Sequence, residues 1–241
     1  SPNNPSGQIC ENLNDISQVA KKHNLLILSD EIYSELSFKD NYESISNFCP
    51  EKTIISTGLS KWCGAGGWRL GYFILPESLK KITDTLNILA SETFSSVSAP
   101  IQYAAIQAYE GDHSEYIKSS KNILKAVGTY VYENLNSNKI LINKPEGGFY
   151  LMPELITNKY NTSSEMCNDI LEDTGVALLP GSDFGFGKKK MIVRLSFTDF
   201  NGRNFMQEYK KKHQIDIDLI SKYAAKVVEG VDKLKKWSEK I

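Results

Sequence analysis

Apolar positions follow two rhythms along this chain, and the switching between them predicts its elements. Leu13, Ile16, Val19 and Ala20 recur at helical spacing after the Asn12 to Asp15 capping region, and the apolar run Leu25 to Leu28 follows at once, so a helix leads into a buried strand. Thr53 to Ser56 and Gly71 to Leu75 read as two more short strands, each bounded by Gly, Pro or Ser. Strands that are continuously apolar belong to sheets covered on both faces, and helices interleaved with them define the α/β class. From Pro76 the spacing turns helical, with helices over about 77–91 and 100–109 separated by the polar stretch Ser91 to Ser98. A long helix over about 114–136 carries Ile117, Leu124, Val127, Val131 and Leu135 on one face, a length suited to connecting two domains.

Beyond it, strands are expected over 139–143 and 148–152, a helix over 163–174 stopped by Gly175, and strands over 176–179 and 191–197. Asn204 to Gln214 reads as an insertion, and a single amphipathic helix closes the chain with Ile217, Ile220, Ala224, Val227, Val231 and Leu234 in one stripe. The division that follows is a larger α/β part, residues 1–115, and a smaller α+β part, residues 116–241.

Charge narrows the function. With 28 basic and 29 acidic residues the chain lacks the excess of Lys and Arg that neutralises phosphates, which speaks against a nucleic-acid partner. Its apolar runs fall far short of the ~20 residues that cross a bilayer, so no membrane association is expected. Cys10, Cys49, Cys63 and Cys167 have no CxxC spacing, the pattern of reduced thiols in a cytoplasmic protein. The first residues, SPNNPSG, have neither the basic nor the apolar region of a secretory leader. His23, His113 and His213 form no ligand cluster, and no metal is expected. Of the 28 basic residues 25 are Lys, leaving Arg only at 69, 194 and 203. Arg is needed where a planar fork must grip a carboxylate or phosphate at two points, which Lys does only as a point charge.

Candidate chemistry gathers near the expected strand ends. Asp30 closes the first strand and Tyr33 stands three residues on; Ser60 and Lys61 lie just past the second strand; Gly64-Ala-Gly-Gly67 precedes Trp68-Arg69. Ligands of open α/β sheets bind beyond the carboxyl ends of the strands, so an acid, a phenol, an amine and a guanidinium delivered there suit an anionic, heterocyclic ligand. The glycine run is neither a dinucleotide fingerprint, which would need Gly at 69, nor a P-loop, since no Gly-Lys-Ser/Thr follows. Cys63 reads as a packed thiol.

In order, the segments SPNNPSG, SDEIYS, STGLSKWCGAGGWRLGY, PEGGFYLMP, GVALLPGSDFG and VRLSF resemble the class I/II pyridoxal-phosphate-dependent aminotransferases of fold type I. The resemblance implies part of the large α/β domain followed by the small α+β domain, about the C-terminal three-fifths of such an enzyme, and a cytoplasmic homodimer. It implies pyridoxal 5'-phosphate (PLP) as cofactor and transfer of an amino group between an L-amino acid and a 2-oxo acid. By position in these motifs, Asn4, Asp30, Tyr33, Ser60, Lys61 and Arg69 would hold the cofactor. Lys61 would be the catalytic amine, and Arg194 would bind the substrate α-carboxylate. Asp30 beside the pyridine nitrogen would favour its protonated, electron-withdrawing form. One departure stands out: Gly58 occupies a position where the family often has Ser, removing a hydroxyl from the phosphate contacts. Two alternatives share the same residues, a PLP-dependent C–S lyase or synthase and a non-catalytic, ligand-sensing module of the same fold.

Overall fold

Ordered secondary structure begins with the helix α1 (Leu13–Lys22), which passes through Asn24 in a left-handed turn into strand β1 (Ile27–Asp30). The computed structural model describes every residue except Ser95, so that position of the polar stretch expected at 91–98 lies outside the described residues. The chain divides into two units. Unit 1 comprises Ser1–Pro2 and Ile9–Ile117, and unit 2 comprises Asn3–Gln8 and Lys118–Ile241. Asn3–Gln8, assigned by the sequence reading to the first part, thus group with the second unit.

Unit 1 continues through β2 (Thr53–Gly58), β3 (Gly71–Ile74), α2 (Lys80–Thr93) and α3 (Ala99–Glu110), then enters α4 (Ser114–Leu135). β1 pairs parallel with β2, setting Asp30 opposite Ser56, and β3 returns antiparallel with Gly58 opposite Gly71. The first strand begins two residues later than the apolar run suggested, because Leu25 is held by its backbone N–H to Ala20 O, 2.8 Å, as the exit of α1. Leu28, Phe73 and Ile74 remain 66%, 54% and 50% exposed. The buried apolar cluster here is small, Leu59, Trp62, Ala65 and Ala105.

Unit 2 adds β4 (Ile140–Leu141), β5 (Tyr150–Leu151), β6 (Glu154–Leu155), α5 (Ser163–Thr174), β7 (Leu179–Pro180), β8 (Val193–Ser196), α6 (Gly202–Lys212), α7 (Ile217–Tyr223) and α8 (Ala225–Ser238). β8 lies between β5 and β7, antiparallel to both, and β4 pairs with β6. One core runs from Ile123, Val127, Val131 and Leu135 of α4 through Val193, Leu195 and Phe197 to Leu234 and Trp237 of α8. Helix α5 has the limits its sequence specifies. Thr162 Oγ1 accepts from Glu165 N at 3.1 Å, Glu165 Oε2 accepts from Asn161 N at 3.0 Å, and Gly175 ends the helix at φ +75°. Three expectations are corrected. The strand foreseen over 176–179 contributes only Leu179–Pro180, the segment read as an insertion folds as helix α6, and the last helix is broken at Ala224, where φ is −119° and ψ is 35°.

Candidate active site

In unit 1, backbone pairing delivers the sequence-predicted groups to one end of the sheet. Asp30 is the last residue of β1; its carboxylate is exposed and accepts from Ile32 N at 3.3 Å. Tyr33 is buried, and Lys61 Nζ stands 5.6 Å from the centre of its ring, so the structure brings the phenol and the amine together. Lys61 itself is half-buried in the turn after β2, with Gly64 N donating to its carbonyl at 3.3 Å.

Arg69 enters the same end from the other side of the hairpin. Pairing of β2 with β3 is extended by Leu59 N to Leu70 O at 3.2 Å, which brings the Ser60–Lys61 turn beside the approach to β3. Arg69 sits at φ +56°, a left-handed conformation, and its exposed guanidinium donates to Gly66 O at 2.7 Å. This contact fixes one side of the fork against the glycine turn. The Gly58 departure has a steric cause: a Cβ there would stand 2.6 Å from Leu70 O and 2.8 Å from Gly71 Cα. Close strand approach and a side-chain hydroxyl are therefore incompatible at this position. Burial pushes the neighbouring Cys63 thiol up from its ordinary pKa, which disfavours the thiolate and fits a packing role.

In unit 2, Arg194 lies on β8 with alternating neighbours. Val193 and Leu195 point into the core, leaving Arg194 half-buried on the opposite face. Its guanidinium carbon is 4.5 Å from the Tyr150 ring centre and 4.7 Å from that of Phe184, and Nη1 donates to Asn4 Oδ1 at 2.8 Å. Two aromatic faces and an amide thus orient a planar cation whose N–H groups can grip a carboxylate. Asn4 is held in turn by the loop that carries it. Gly7, at φ +69°, packs so closely on β5 that a Cβ would lie 2.6 Å from Tyr150 O, and Asn3 closes the turn by accepting from Gly7 N at 2.8 Å. The sequence reading found Arg194 and Asn4 but missed Tyr150 and Phe184, although both lie in quoted motifs, PEGGFYLMP and GVALLPGSDFG. It also passed over Glu31, which is buried beside Asp30.

Among the described residues, no helix is long and apolar enough to cross a membrane, and no group of three His, Cys, Asp or Glu could hold a metal ion. Unit 1 gathers an amine, a phenol, a carboxylate and a guanidinium at one sheet end, and unit 2 separately presents a guanidinium backed by two rings.

The mixed α/β architecture is that of fold type I transferases. The crystal structure of the aspartate aminotransferase from Thermotoga maritima aligns with 98% of this chain and 54% of its own, at TM-score 0.75 and 29% identity. An alanine aminotransferase from Pyrococcus furiosus aligns with all of this chain and 56% of its own, at TM-score 0.80 and 27% identity. In sequence, the "Probable N-acetyl-LL-diaminopimelate aminotransferase" of Bacillus subtilis is 36% identical over 200 residues, 82% of this chain and 49% of that protein. Residues 1–205 match the family described as aminotransferase class I and II, and the chain belongs to that family. It spans about half the length of the curated relatives it matches.

Proposed function

We propose that this chain supplies the cofactor-holding and substrate-carboxylate residues of a PLP-dependent aminotransferase that exchanges an amino group between an L-amino acid and a 2-oxo acid. The observation that carries this reading is the convergence of Asp30, Tyr33, Lys61 and Arg69 at one end of the unit 1 sheet, with Lys61 Nζ 5.6 Å from the Tyr33 ring. The donor set fits PLP group by group: a guanidinium and the Ser60 hydroxyl for the phosphate, a carboxylate for the pyridinium, a phenol for the ring hydroxyl and a primary amine for the aldehyde. Relatives named for aspartate, alanine and N-acetyl-LL-diaminopimelate share amino-group transfer and differ in side chain. On this reading residues 1–115 belong to the large PLP-binding domain and 116–241 to the small domain, in a cytoplasmic homodimer.

When bound, PLP supplies an electron sink for the charge that develops at the substrate Cα. This chain's residues hold it and move protons. Asp30, its carboxylate exposed at the end of β1, would pair with the pyridine nitrogen and favour its protonated form. Tyr33 and, by its place in the motif, Asn4 would donate to the ring oxygen. Arg69 and Ser60 bind the phosphate, with backbone N–H groups near Gly58 standing where a hydroxyl is sterically excluded. Lys61 Nζ would be the amine that holds the cofactor's aldehyde end and the base that accepts the proton from the substrate Cα. Arg194 would hold the α-carboxylate in two-point fashion, which orients the substrate at its Cα.

Arg194 offers the test, because every amino acid has the α-carboxylate it would bind. Arg194→Lys keeps the charge and loses the fork. Loss of a hydrogen bond to a charged group costs about 1.5–3 kcal/mol, equivalent to a ten- to hundredfold slower half-reaction. Stopped-flow measurement of amino-group transfer to the cofactor should show that slowing for every amino acid tried, with PLP binding unchanged. Slowing confined to one amino acid would mean that Arg194 reads a side chain.

A further inference from the structure

Glu31 is the residue between Asp30 and Tyr33 in the SDEIY segment, and it is only 6% exposed. A buried carboxylate is costly unless hydrogen-bonded, and here hydroxyl groups converge on it. Ser29 Oγ donates to Oε1 at 3.0 Å and Ser44 Oγ donates to the same oxygen at 2.5 Å. The Tyr42 hydroxyl makes a further hydrogen bond to the carboxylate; burial, then the Glu31 charge, then this bond raise the Tyr42 pKa well above that of a free phenol. Ser44 is fixed in its turn, since its oxygen accepts from Ser46 N at 3.1 Å as the cap of the short 3-10 helix Ile45–Asn47.

Side chains alternate along a strand, so Ser29 and Glu31 share one side of the β1 end and Asp30 takes the other. The backbone between them is pinned as well, with Glu31 N donating to Ser56 O at 2.8 Å beyond the last ladder pair. The Glu31 carboxylate therefore clamps the segment carrying Asp30 to the chain at 42–44 from the side Asp30 does not use.

We infer that Glu31 is a positioning residue, whose buried hydrogen bonds to Ser29, Tyr42 and Ser44 hold the Asp30 carboxylate and the Tyr33 phenol in register for the cofactor. This rests on the PLP reading above. A carboxylate tethered only by its own flexible turn would spend part of its time away from the pyridine nitrogen. The ring would then withdraw electrons less, and the nitrogen joining Lys61 to the cofactor would hold its proton more tightly.

The test uses protein at full length loaded with PLP, read by the visible absorbance of the bound cofactor against pH and by the PLP dissociation constant. Removal of supporting partners around a site typically costs ten- to a hundredfold in its occupancy or activity. Glu31→Ala should weaken PLP retention by about tenfold or more and move the absorbance midpoint to higher pH. Glu31→Gln, which keeps the shape and the acceptor oxygen, should restore both to near the parent values. Tyr42→Phe and Ser44→Ala each remove one donor while leaving the carboxylate, and should shift the midpoint the same way by less, which keeps the inference testable if Glu31→Ala does not fold. Phe205→Leu, in the core of unit 2, supplies a loss of thermal stability without the shift. If the Glu31 and donor variants lower the melting temperature while midpoint and dissociation constant stay at parent values, Glu31 serves only the fold and the inference is overturned. If the parent protein shows no Lys61-linked absorbance at all, the PLP reading falls and the inference falls with it.

Discussion

Arg194 and Lys61 are presented by two regions built on different terms. Arg194 projects from β8, whose other face, Val193, Leu195 and Phe197, is sealed in a core continuous from α4 to α8. Lys61 follows a strand in a sheet where Leu28, Phe73 and Ile74 stand half exposed or more, and the cluster beside it among the described residues buries Leu59, Trp62, Ala65 and Ala105. Unit 2 thus holds its guanidinium by packing. Unit 1 holds its groups by backbone pairing, by hydrogen-bonded carboxylates and by a turn that admits no Cβ at Gly58. Cofactor-holding residues in unit 1 should therefore respond to changes in polar partners, and the carboxylate grip in unit 2 to changes in volume.

The largest effect expected from this contrast is in core truncation. Phe205, fully buried in unit 2, should cost about 3–5 kcal/mol as Phe205→Ala, whereas Ser44→Ala in unit 1, which removes one hydrogen bond to Glu31, should cost about 1–3 kcal/mol. Chemical denaturation of the two variants measures the difference, and equal losses would erase the distinction drawn between the units. A middle-sized effect belongs to Gly58→Ser, which adds the hydroxyl common in the family at a place where Cβ meets backbone at 2.6 Å. It should cost about 1–3 kcal/mol without tightening PLP binding. Tighter PLP binding would show that the turn relaxes and that the hydroxyl was missing from the site.

The smallest effect is electrostatic. In unit 2, burial first and the Asp183 charge second push the Cys167 thiol up to about 11 from an ordinary value of about 9.0. Between those values the unfolded chain has lost the proton that the folded chain keeps, so the contribution is complete below pH 9.0 and is lost as pH rises to about 11. Melting temperatures across that window should fall less steeply in Cys167→Ala than in the parent. Parallel slopes would show that this thiol is not desolvated.

Much of this was legible because local signals coincide with the elements they cause. Thr162, Glu165 and Gly175 bound α5 at its observed residues, and Pro100 sits in the first turn of α3. The break at Ala224 was hidden because Ile220, Ala224, Val227 and Val231 keep a single buried stripe across two helices, and spacing alone cannot register a change of backbone angle within it. Helix α6 was read as an insertion although Asn201 caps it, its side chain accepting from Asn204 N, and Phe205 anchors it in the core. At the site, the motif residues near 30, 61, 69 and 194 were visible as chemistry. The rings of Tyr150 and Phe184 were not, since their contact with Arg194 joins three distant segments and leaves no local period. Glu31 was overlooked because a glutamate reads as surface until its burial and three hydroxyl partners are known.

Reductive labelling of Lys61 tests the functional reading most directly. Protein at full length, incubated with PLP, reduced with borohydride and digested, should carry a pyridoxyl group on the peptide containing Ser60-Lys61-Trp62. Asp30→Ala should leave that label in place while weakening retention of the cofactor before reduction. A pyridoxyl group on any of the other lysines, with Lys61 unmodified, would contradict the assignment of the site.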